Sequence, residues 1–593
     1  MCGINGFIST GGTDGKVIVE KMNQSLAHRG PDATGIWNNE KVSLGHRRLS
    51  IIDLSASGNQ PMSSSDGNLI LIFNGEIYNF KELKNELIAK GHTFRSTSDS
   101  EVIIYAYAQW GTEAFSKFNG MFSLAIYDKV KQQVILARDH AGIKPLYYHI
   151  DDDRLLFSSE IRGFKAFDSN WPAFEEWEPY FLSFGFIPFP YSTLKNVFTL
   201  PKGHFLTLNL SNFSHSLKQF HHFSFSAKIT NEKEAIQQVK EVLLSAVERH
   251  MISDAPLGIF LSGGIDSSLI ALIADHLGHQ NLNTLSITFN EATFNEEPFQ
   301  DIVLKRMRPH RHQAYKVDGA MFMEHIDDVF KAMDQPSWDG VNSYFISKCA
   351  HDAGLKTVLS GLGGDELFGG YPSFNRIGLI SKLRFLPGFM TFAAKYFPKD
   401  SLSRLTFLNT TTNYKDYLLL RGAYNPHLVS KITGTSEKDI MASLSKLTLN
   451  DYPEVRDQNL AAYLETNIYM ENQLLKDTDY MSMWHSLEVR VPFLDRELME
   501  LMHSIDPAVK FNPSRPKYLL SKTFEDLLPR EVVFRKKQGF TFPFSIWLKN
   551  NMDNFKPFLP DTPVTKKITQ QFLENKVHWS RLWALMVWNK FKE

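Results

Sequence analysis

The sequence predicts two domains of different class: an α+β domain whose sheets are covered by helices over residues 1–210, and an α/β domain with a parallel sheet over residues 231–593, joined by a polar linker at 211–230. Three observations carry this reading. At 593 residues the chain is longer than one hydrophobic core supports. Through the first third, short β-rich runs alternate with Gly, Asn and Asp punctuation. Past the linker the pattern turns helical with a few apolar strands, the alternation that builds parallel sheet.

In the first domain, Leu69-Ile70-Leu71-Ile72-Phe73 is a continuous apolar strand, and Asn74-Gly75 after it is a turn signal. Phe122–Tyr127 and Val134–Ala137 flank a polar segment and predict a hairpin. Helices are expected near 80–90 and 99–110, each followed by a glycine, Gly91 and Gly111, placed for a left-handed C-cap. After the linker, Asn231 with Glu234 three residues on resembles a capping box. It opens a helix whose Ile236, Val239, Leu243 and Val247 share one face. Gly258–Leu261, Thr284–Phe289 and Thr357–Leu359 are the buried strands. No internal repeat or low-complexity tract interrupts the pattern.

Composition excludes several classes of function. Hydrophobic residues at 43% and charged residues at 22% are ordinary for a soluble globular protein. A net charge of −1 leaves no overall electrostatic footprint for nucleic acid or an acidic membrane. The two cysteines, Cys2 and Cys349, make neither a disulfide framework nor a zinc cluster, and Cys349 is expected as a buried thiol on an apolar helix. The N-terminus MCGINGFIST lacks a basic region followed by an apolar one, and no apolar run reaches membrane-spanning length. The expected compartment is the cytoplasm, and the expected partners are small molecules rather than nucleic acid or membrane.

Cys2 carries the first chemical signal. Removal of Met1 would put a thiol and a free α-amine on one residue. Those groups titrate near ~8.5 and ~7.7–8.0, so one residue supplies nucleophile and base. Alone, position 2 reads as a tolerant terminus; the clusters around it reverse that reading. Arg48, opening Arg48-Leu49-Ser50-Ile51, can grip a carboxylate bidentately. The Asn74 amide and the Gly75 N–H, followed by Glu76, can donate to a developing oxyanion. Asp99, near a helix start, can receive an ammonium, and His28–Asp32 forms a rigid polar turn.

Together, Met1–Ile4, His28–Asp32, Arg48–Ile51, Asn74–Asn79 and Ser98–Glu101 resemble the glutaminase domain of class II glutamine amidotransferases. The resemblance implies an N-terminal-nucleophile fold with αββα layers, in which Cys2 attacks the side-chain amide of glutamine. It implies that Arg48 holds the glutamine α-carboxylate, with Leu49, Ser50, Ile51 and Ile52 beside it. Asp99 and the Glu76 region would hold its α-amine, and Asn74 with Gly75 would form the oxyanion hole.

The second signal follows the strand ending at Leu261. Ser262-Gly263-Gly264-Ile265-Asp266-Ser267-Ser268 brings hydroxyls, glycines and an aspartate onto one loop before a helix. Small residues let backbone N–H groups approach an anion there. The loop is neither a Walker A motif nor a dinucleotide fingerprint, and in Gly361-Leu362-Gly363-Gly364-Asp365-Glu366 the position of the last fingerprint glycine is Glu366. Ser262–Ser268 resembles the pyrophosphate loop of ATP pyrophosphatases (the adenine nucleotide alpha hydrolase-like fold), and Ser360–Tyr371 resembles their second nucleotide loop. With Ser482–Arg490, Pro492–Asp495 and Arg535–Phe540, the set resembles asparagine synthetases of the glutamine-hydrolysing type along essentially the whole chain.

That resemblance implies ATP and Mg²⁺ as cofactors, glutamine and aspartate as substrates, a β-aspartyl-adenylate intermediate, and a shielded path for ammonia between domains. A homodimer is also what the family suggests. Leu261, Ser262, Gly263, Gly264, Asp266, Ser267, Ile287, Thr288, Ser360 and Gly361 would bind ATP, and Asp266 and Asp365 would be the Mg²⁺-linked carboxylates. Lys536 or Lys537 would supply a cation near the transferring charge.

Leu362 departs from the pattern, because the family usually has an acidic residue there, tied to adenylate formation. Its role is absent or has moved to Glu366. Two readings stay open: the same enzyme with a tolerated variant, or a relative that amidates another carboxylate, such as a sugar acid or a peptide side chain. Trp338-Asp339 is a further place where acceptor choice could differ. A glutaminase with a non-catalytic second domain, or a nucleotide-binding regulator without turnover, would each leave one intact set of site residues without a purpose.

Overall fold

The computed structural model describes residues 2–592 apart from 12–13, 384–385, 398–399, 538 and 540. Two six-stranded antiparallel sheets form the centre of the first domain. One runs in the order Phe198–Thr199, Tyr147–Ile150, Arg154–Ser158, Gly3–Ser9, Val42–Arg48, Ala33–Asn38. The other runs His215–Gln219, His204–Asn209, Gln133–Arg138, Gly120–Asp128, Leu69–Ile77, Met62–Ser63.

The period of two in each strand decides which face each side chain meets. Ile4, Ile8 and Leu44 from one sheet interlock with Ile70, Ile72 and Leu136 from the other. Leu71 and Phe73 point the opposite way, onto Leu83, Leu87, Val102 and Ile103 of the helices Phe80–Ala89 and Asp99–Trp110. Phe7 meets Val19, Ile161 and Phe164 on the far side of the first sheet. The result is the expected helix–sheet–sheet–helix layering.

Gly91 at φ +94° closes the first of these helices as expected, with the Gly91 and His92 amides donating to the Ile88 and Leu87 carbonyls. Gly111, at φ +60° and ψ −140°, ends the second with a positive φ but outside the left-handed helical conformation expected of it. Two further expectations need correction. Asn74-Gly75 does not turn the chain: the strand continues to Ile77, paired residue for residue with Gly120–Asp128. Gly75 sits there at φ +151°, and a Cβ on it would lie 2.0 Å from the Met121 carbonyl oxygen, so close approach rather than reversal demands the glycine. The polar stretch 211–230 is not all linker either. His215–Gln219 pairs with His204–Asn209 as an exposed edge strand.

The second domain is built on an all-parallel sheet ordered Arg311–Lys316, Asn283–Thr288, Leu257–Phe260, Thr357–Leu359, Glu488–Arg490. The chain starts at the middle strand, builds outward to one side, then crosses to the other. The crevice between Leu257–Phe260 and Thr357–Leu359 is therefore a topological switch point, where the loops after both strands leave the same end of the sheet. Asn231 caps the helix Glu232–His250 by accepting from the Lys233 and Glu234 amides. Cys349 is buried in the helix Val341–Asp352, where burial pushes its thiol up to about 12. A helical rod from Gln458 to Trp484 is wound as a π-helix over Glu465–Leu474, a geometry found mostly at functional sites. Among the described residues, no helix is long and apolar enough to cross a membrane.

Candidate active sites

Cys2 immediately precedes a central strand of the first sheet and is buried. Its backbone N–H donates to Asn74 Oδ1 at 2.9 Å, and its carbonyl accepts from Arg29 Nε at 3.0 Å. Both backbone groups flanking the thiol are thus held by side chains from other elements. Burial pushes the thiol up, whereas a hydrogen bond from the Leu49 backbone and the nearby Arg48 charge favour the thiolate. The Asn74 side-chain oxygen accepts from the Cys2 amide, and its donor, Nδ2, lies 3.4 Å from Ser123 Oγ. Met1 lies outside the described residues.

The run after Arg48 curls over Cys2. Ser50 N–H donates to Asp32 Oδ2 at 2.7 Å, and Leu49 and Ile51 pack on Met483 of the second domain. Arg48 itself donates to the Ser55 carbonyl at 2.7 Å, to Asn59 Oδ1 at 2.8 Å and to the Asp53 carbonyl. It braces the 52–59 loop in this structure, and the Ile52 carbonyl lies 3.5 Å away. Asp99 is buried at its helix start and accepts from the Ile77 amide at 2.9 Å. Burial pushes its carboxyl up to about 6, with the Glu488 charge adding to this, while the Ile77 and Ser100 amides and Arg490 oppose it.

Glu76 points elsewhere than expected. Its carboxylate pairs at 3.2 Å with Arg490, whose Nε donates to Glu488 at 2.6 Å. Glu76 therefore contacts a cation of the second domain, and burial raises its carboxyl well above the usual range. Arg29 does the same for the nucleophile. Its guanidinium lies 2.6 Å from Glu160 and 2.8 Å from Asp479, which belongs to the helix Leu475–Trp484. The His28-Arg29 pair was legible only as a polar turn, because nothing local in sequence tells that Arg29 reaches across to Cys2 and Asp479.

At the switch point of the second domain, the Ser262–Ser268 loop and the Ser360–Glu366 loop pack against each other. Gly361 and Gly364 leave no room for side chains: a Cβ would lie 2.9 Å from the Ser267 amide nitrogen and 2.3 Å from Asp266 Oδ1, respectively. Gly263 turns the first loop at φ +71°. Ser262 Oγ and Ser267 Oγ are 3.0 Å apart, and Leu261 is held by Leu285 through its N–H at 2.8 Å. Gly264 precedes the helix Ile265–His276, whose first N–H groups have no intrahelical partner. Ile287 and Thr288 end the neighbouring strand at the same edge, and Ser360 N–H donates to the Arg490 carbonyl at 2.8 Å.

Lys517, which the sequence reading did not single out, is the hub of this site. Its Nζ lies 2.5 Å from Asp266 Oδ2 and 2.5 Å from Asp365 Oδ1. Lys537 adds a contact to Asp365 at 2.7 Å and donates to the Gly370 carbonyl at 2.8 Å, so of the two candidate lysines it is Lys537 that reaches the cluster, while Lys536 is exposed. Burial opposes ionisation of Asp365, but Lys517 and Lys537 hold its carboxyl down at about 2. Burial pushes Asp266 up despite Lys517.

Asp266 Oδ1 is buried without a hydrogen-bond partner among the described residues. Two carboxylates with an orphaned oxygen fit a hard divalent cation that completes its shell with phosphate and water. No group of three or more metal-ligating side chains occurs among the described residues. Arg535, paired with Glu296, brings a guanidinium to the loop: a Cβ on Gly264 would lie 3.8 Å from it, and its Nη1 is buried without a hydrogen-bond partner among the described residues. Gln538 and Phe540 of that run lie outside the described residues.

Leu362 packs against the apolar core rather than facing a charge. Glu366 is buried; burial and the Asp365 charge push its carboxyl up to about 7, against the Tyr371 hydroxyl that donates to it at 2.8 Å. Beside it, Arg421 lies 4.6 Å from the Tyr371 ring and 3.9 Å from the Tyr469 ring and pairs with Glu465 at 2.8 Å. Asp339 feels this charge and is itself pushed up by burial.

Comparisons with known proteins agree with this two-site arrangement. A glutamine amidotransferase domain model matches residues 1–221, and an asparagine synthase model matches residues 238–589. The chain is 32% identical to asparagine synthetase [glutamine-hydrolyzing] 1 of Bacillus subtilis, over 94% of this chain and 89% of that protein. It is 34% identical to a putative asparagine synthetase [glutamine-hydrolyzing] 2 of Methanocaldococcus jannaschii, over 67% and 81%. It is 28% identical to amidase chry2 of Gibberella zeae, over 96% and 91%.

Proposed function

Because this chain belongs to the asparagine synthase family and begins with a glutamine amidotransferase domain, we propose that it uses glutamine and ATP to amidate aspartate to asparagine. The observation that carries this is the convergence of Asp266, Asp365 and Lys517 at the switch point, in one chain with the clamped Cys2.

In the first half, Cys2 Sγ attacks the side-chain carbonyl carbon of glutamine. The thiol proton passes to the Cys2 α-amine, which Asn74 Oδ1 orients. Asn74 Nδ2 and the Gly75 N–H donate to the oxyanion, ammonia leaves, and water hydrolyses the thioester to glutamate. Asp99 receives the α-ammonium, and Arg48 with its following residues receives the α-carboxylate.

In the second half, the aspartate β-carboxylate oxygen attacks the α-phosphorus of ATP and pyrophosphate leaves. The Ser262–Ser267 loop donates to the departing phosphates, and Lys517 and Arg535 balance their charge. Asp266 and Asp365 would hold magnesium, which would supply Lewis-acid neutralisation of the phosphate charge. Ammonia then attacks the acyl carbon and AMP departs. A small cavity lined by Ile143 and Lys144 of the first domain and Leu475, Asp479, Ser482, Val489 and Val491 of the second supports a shielded route. ATP and free amino acids as substrates fit the cytoplasm.

The test is an incubation with glutamine, ATP, Mg²⁺ and aspartate, following AMP, pyrophosphate and glutamate. AMP formation that requires aspartate supports the reading. A different acceptor is favoured by one observation, Leu362 packed on the apolar core in the second nucleotide loop; glutamate without aspartate-dependent AMP would move the proposal there.

Asp99 gives a pH prediction. Its carboxylate must be charged to receive an ammonium, and burial has raised it to about 6. The Asp99 contribution to glutamine kcat/KM therefore levels off above that value and falls tenfold per pH unit below it. The same shift makes Asp99 a stability debit: folding is favoured while the group is protonated, and stability is lost as pH rises from the unfolded value near ~3.9 through about 6. Asp99→Asn should raise the glutamine KM and remove this limb. A pH profile still breaking near 6 in that variant would assign the titration elsewhere.

A further inference from the structure

One surface of the second domain inverts the usual distribution of side chains. In the helix Gly388–Ala393 and the turn Ala394–Tyr396 after it, the small residues Thr391 and Ala394 are buried. The large ones face solvent: Phe389 is 75% exposed, Phe392 59%, Tyr396 69% and Phe397 42%. Of the fourteen exposed large hydrophobics among the described residues, seven fall between Leu379 and Leu402. Scattered apolar residues on a surface need no explanation, but a clustered aromatic patch marks an interaction site.

Charge identifies what covers it. Between Glu366 and Asp400 the sequence holds five basic residues and no acidic one, a local excess that the whole-chain net charge of −1 averages away. Arg376 and Lys382 are exposed on the neighbouring helix Pro372–Leu383. Lys395 sits at the base of the patch, 4.1 Å from the Phe392 ring, and is partly balanced by Glu437 at 3.3 Å. A second copy of this chain would bring the same cations face to face across a two-fold axis. A surface that is apolar within and negative at its rim answers both features at once.

We propose that the Phe389–Phe397 face docks on an anionic phospholipid surface, its aromatic rings entering the headgroup layer and the flanking lysines and arginines pairing with lipid phosphates. Interfacial aromatic residues and a basic flank are what peripheral membrane attachment requires. The attachment needs no spanning segment. It does not depend on which carboxylate is amidated.

The test is co-sedimentation of the full chain with vesicles of phosphatidylcholine alone or with added phosphatidylglycerol. The wild-type protein should pellet with the anionic vesicles, remain in solution with the neutral ones, and be released by added salt. The double substitution Phe389→Ser with Phe392→Ser should lower the pelleted affinity at least about tenfold, since it removes the two rings that would be buried on docking. Glutamine hydrolysis and the melting temperature should not change, because both side chains are exposed. Wild-type protein left in solution with anionic vesicles overturns the proposal, as does equal pelleting of the double variant. A dimer split by the double variant, without vesicle binding by the wild type, would assign the face to a second copy instead.

Discussion

Cys2→Ala removes glutamine-dependent product formation, by about 10³-fold or more, while product formation from added ammonium persists. The reason is geometric as well as chemical. The thiol is the reacting group and lies beside the Leu49 backbone and the Arg48 charge, whereas its backbone anchors, Asn74 Oδ1 and Arg29, do not depend on the side chain. Alanine therefore leaves the interface with Asp479 and the second site intact. Ammonium-supported synthesis should rise with pH, because only the neutral amine attacks an acyl-adenylate. Steady-state AMP release with glutamine and with ammonium separates the two halves. Loss of both activities in a folded variant would show that the sites are not separable, and the proposed transfer of ammonia would fail.

Lys517→Met has the opposite pattern: adenylate formation falls by about 10²–10³-fold whether the nitrogen comes from glutamine or ammonium, while glutamine hydrolysis survives. Lys517 is buried and within 2.5 Å of both Asp266 and Asp365. Deleting its charge leaves two carboxylates facing one another, with Lys537 the one cation still paired to them among the described residues. One of them then protonates, so the Asp365 carboxyl, now held at about 2, should rise. Breaking a buried charge pair from one side costs about 3–5 kcal/mol, so a lowered melting temperature is expected too. High Mg²⁺ should restore part of that stability by replacing the missing cation between the carboxylates, a rescue that a purely structural lysine would not show. Isotope exchange between pyrophosphate and ATP in the presence of aspartate measures the chemistry. Exchange at wild-type rate would remove Lys517 from the site.

Most of the scaffold was legible from local pattern. The continuous apolar run Leu69–Phe73, the glycines after the two helices, and the Asn231 cap are short-range signals that the folded chain keeps. Asn74-Gly75 misled because the same dipeptide serves a turn and a crowded strand; only the Met121 carbonyl opposite Gly75 distinguishes them. His215–Gln219 was hidden because an exposed edge strand lacks the apolar alternation that identifies a buried one. In the sites, motif residues were found and their partners were not. Lys517 carries no pattern of its own, Glu76 spends its charge on Arg490 of the second domain, and Arg48 donates to the loop that follows it a few residues on.

By itself, the order of residues determined which chemical groups this protein can bring to bear: a thiol at position 2, a hydroxyl- and glycine-rich loop after an apolar strand, and carboxylates on two successive loops. Those depend on residue type and short spacing, which the chain carries directly. Tertiary structure alone decided which charge meets which. Arg29 to Asp479, Glu76 to Arg490 and Lys517 to Asp266 each join residues hundreds of positions apart. Coulomb attraction depends on distance in space and on exclusion of water, and neither is written in the separation of residues along the chain.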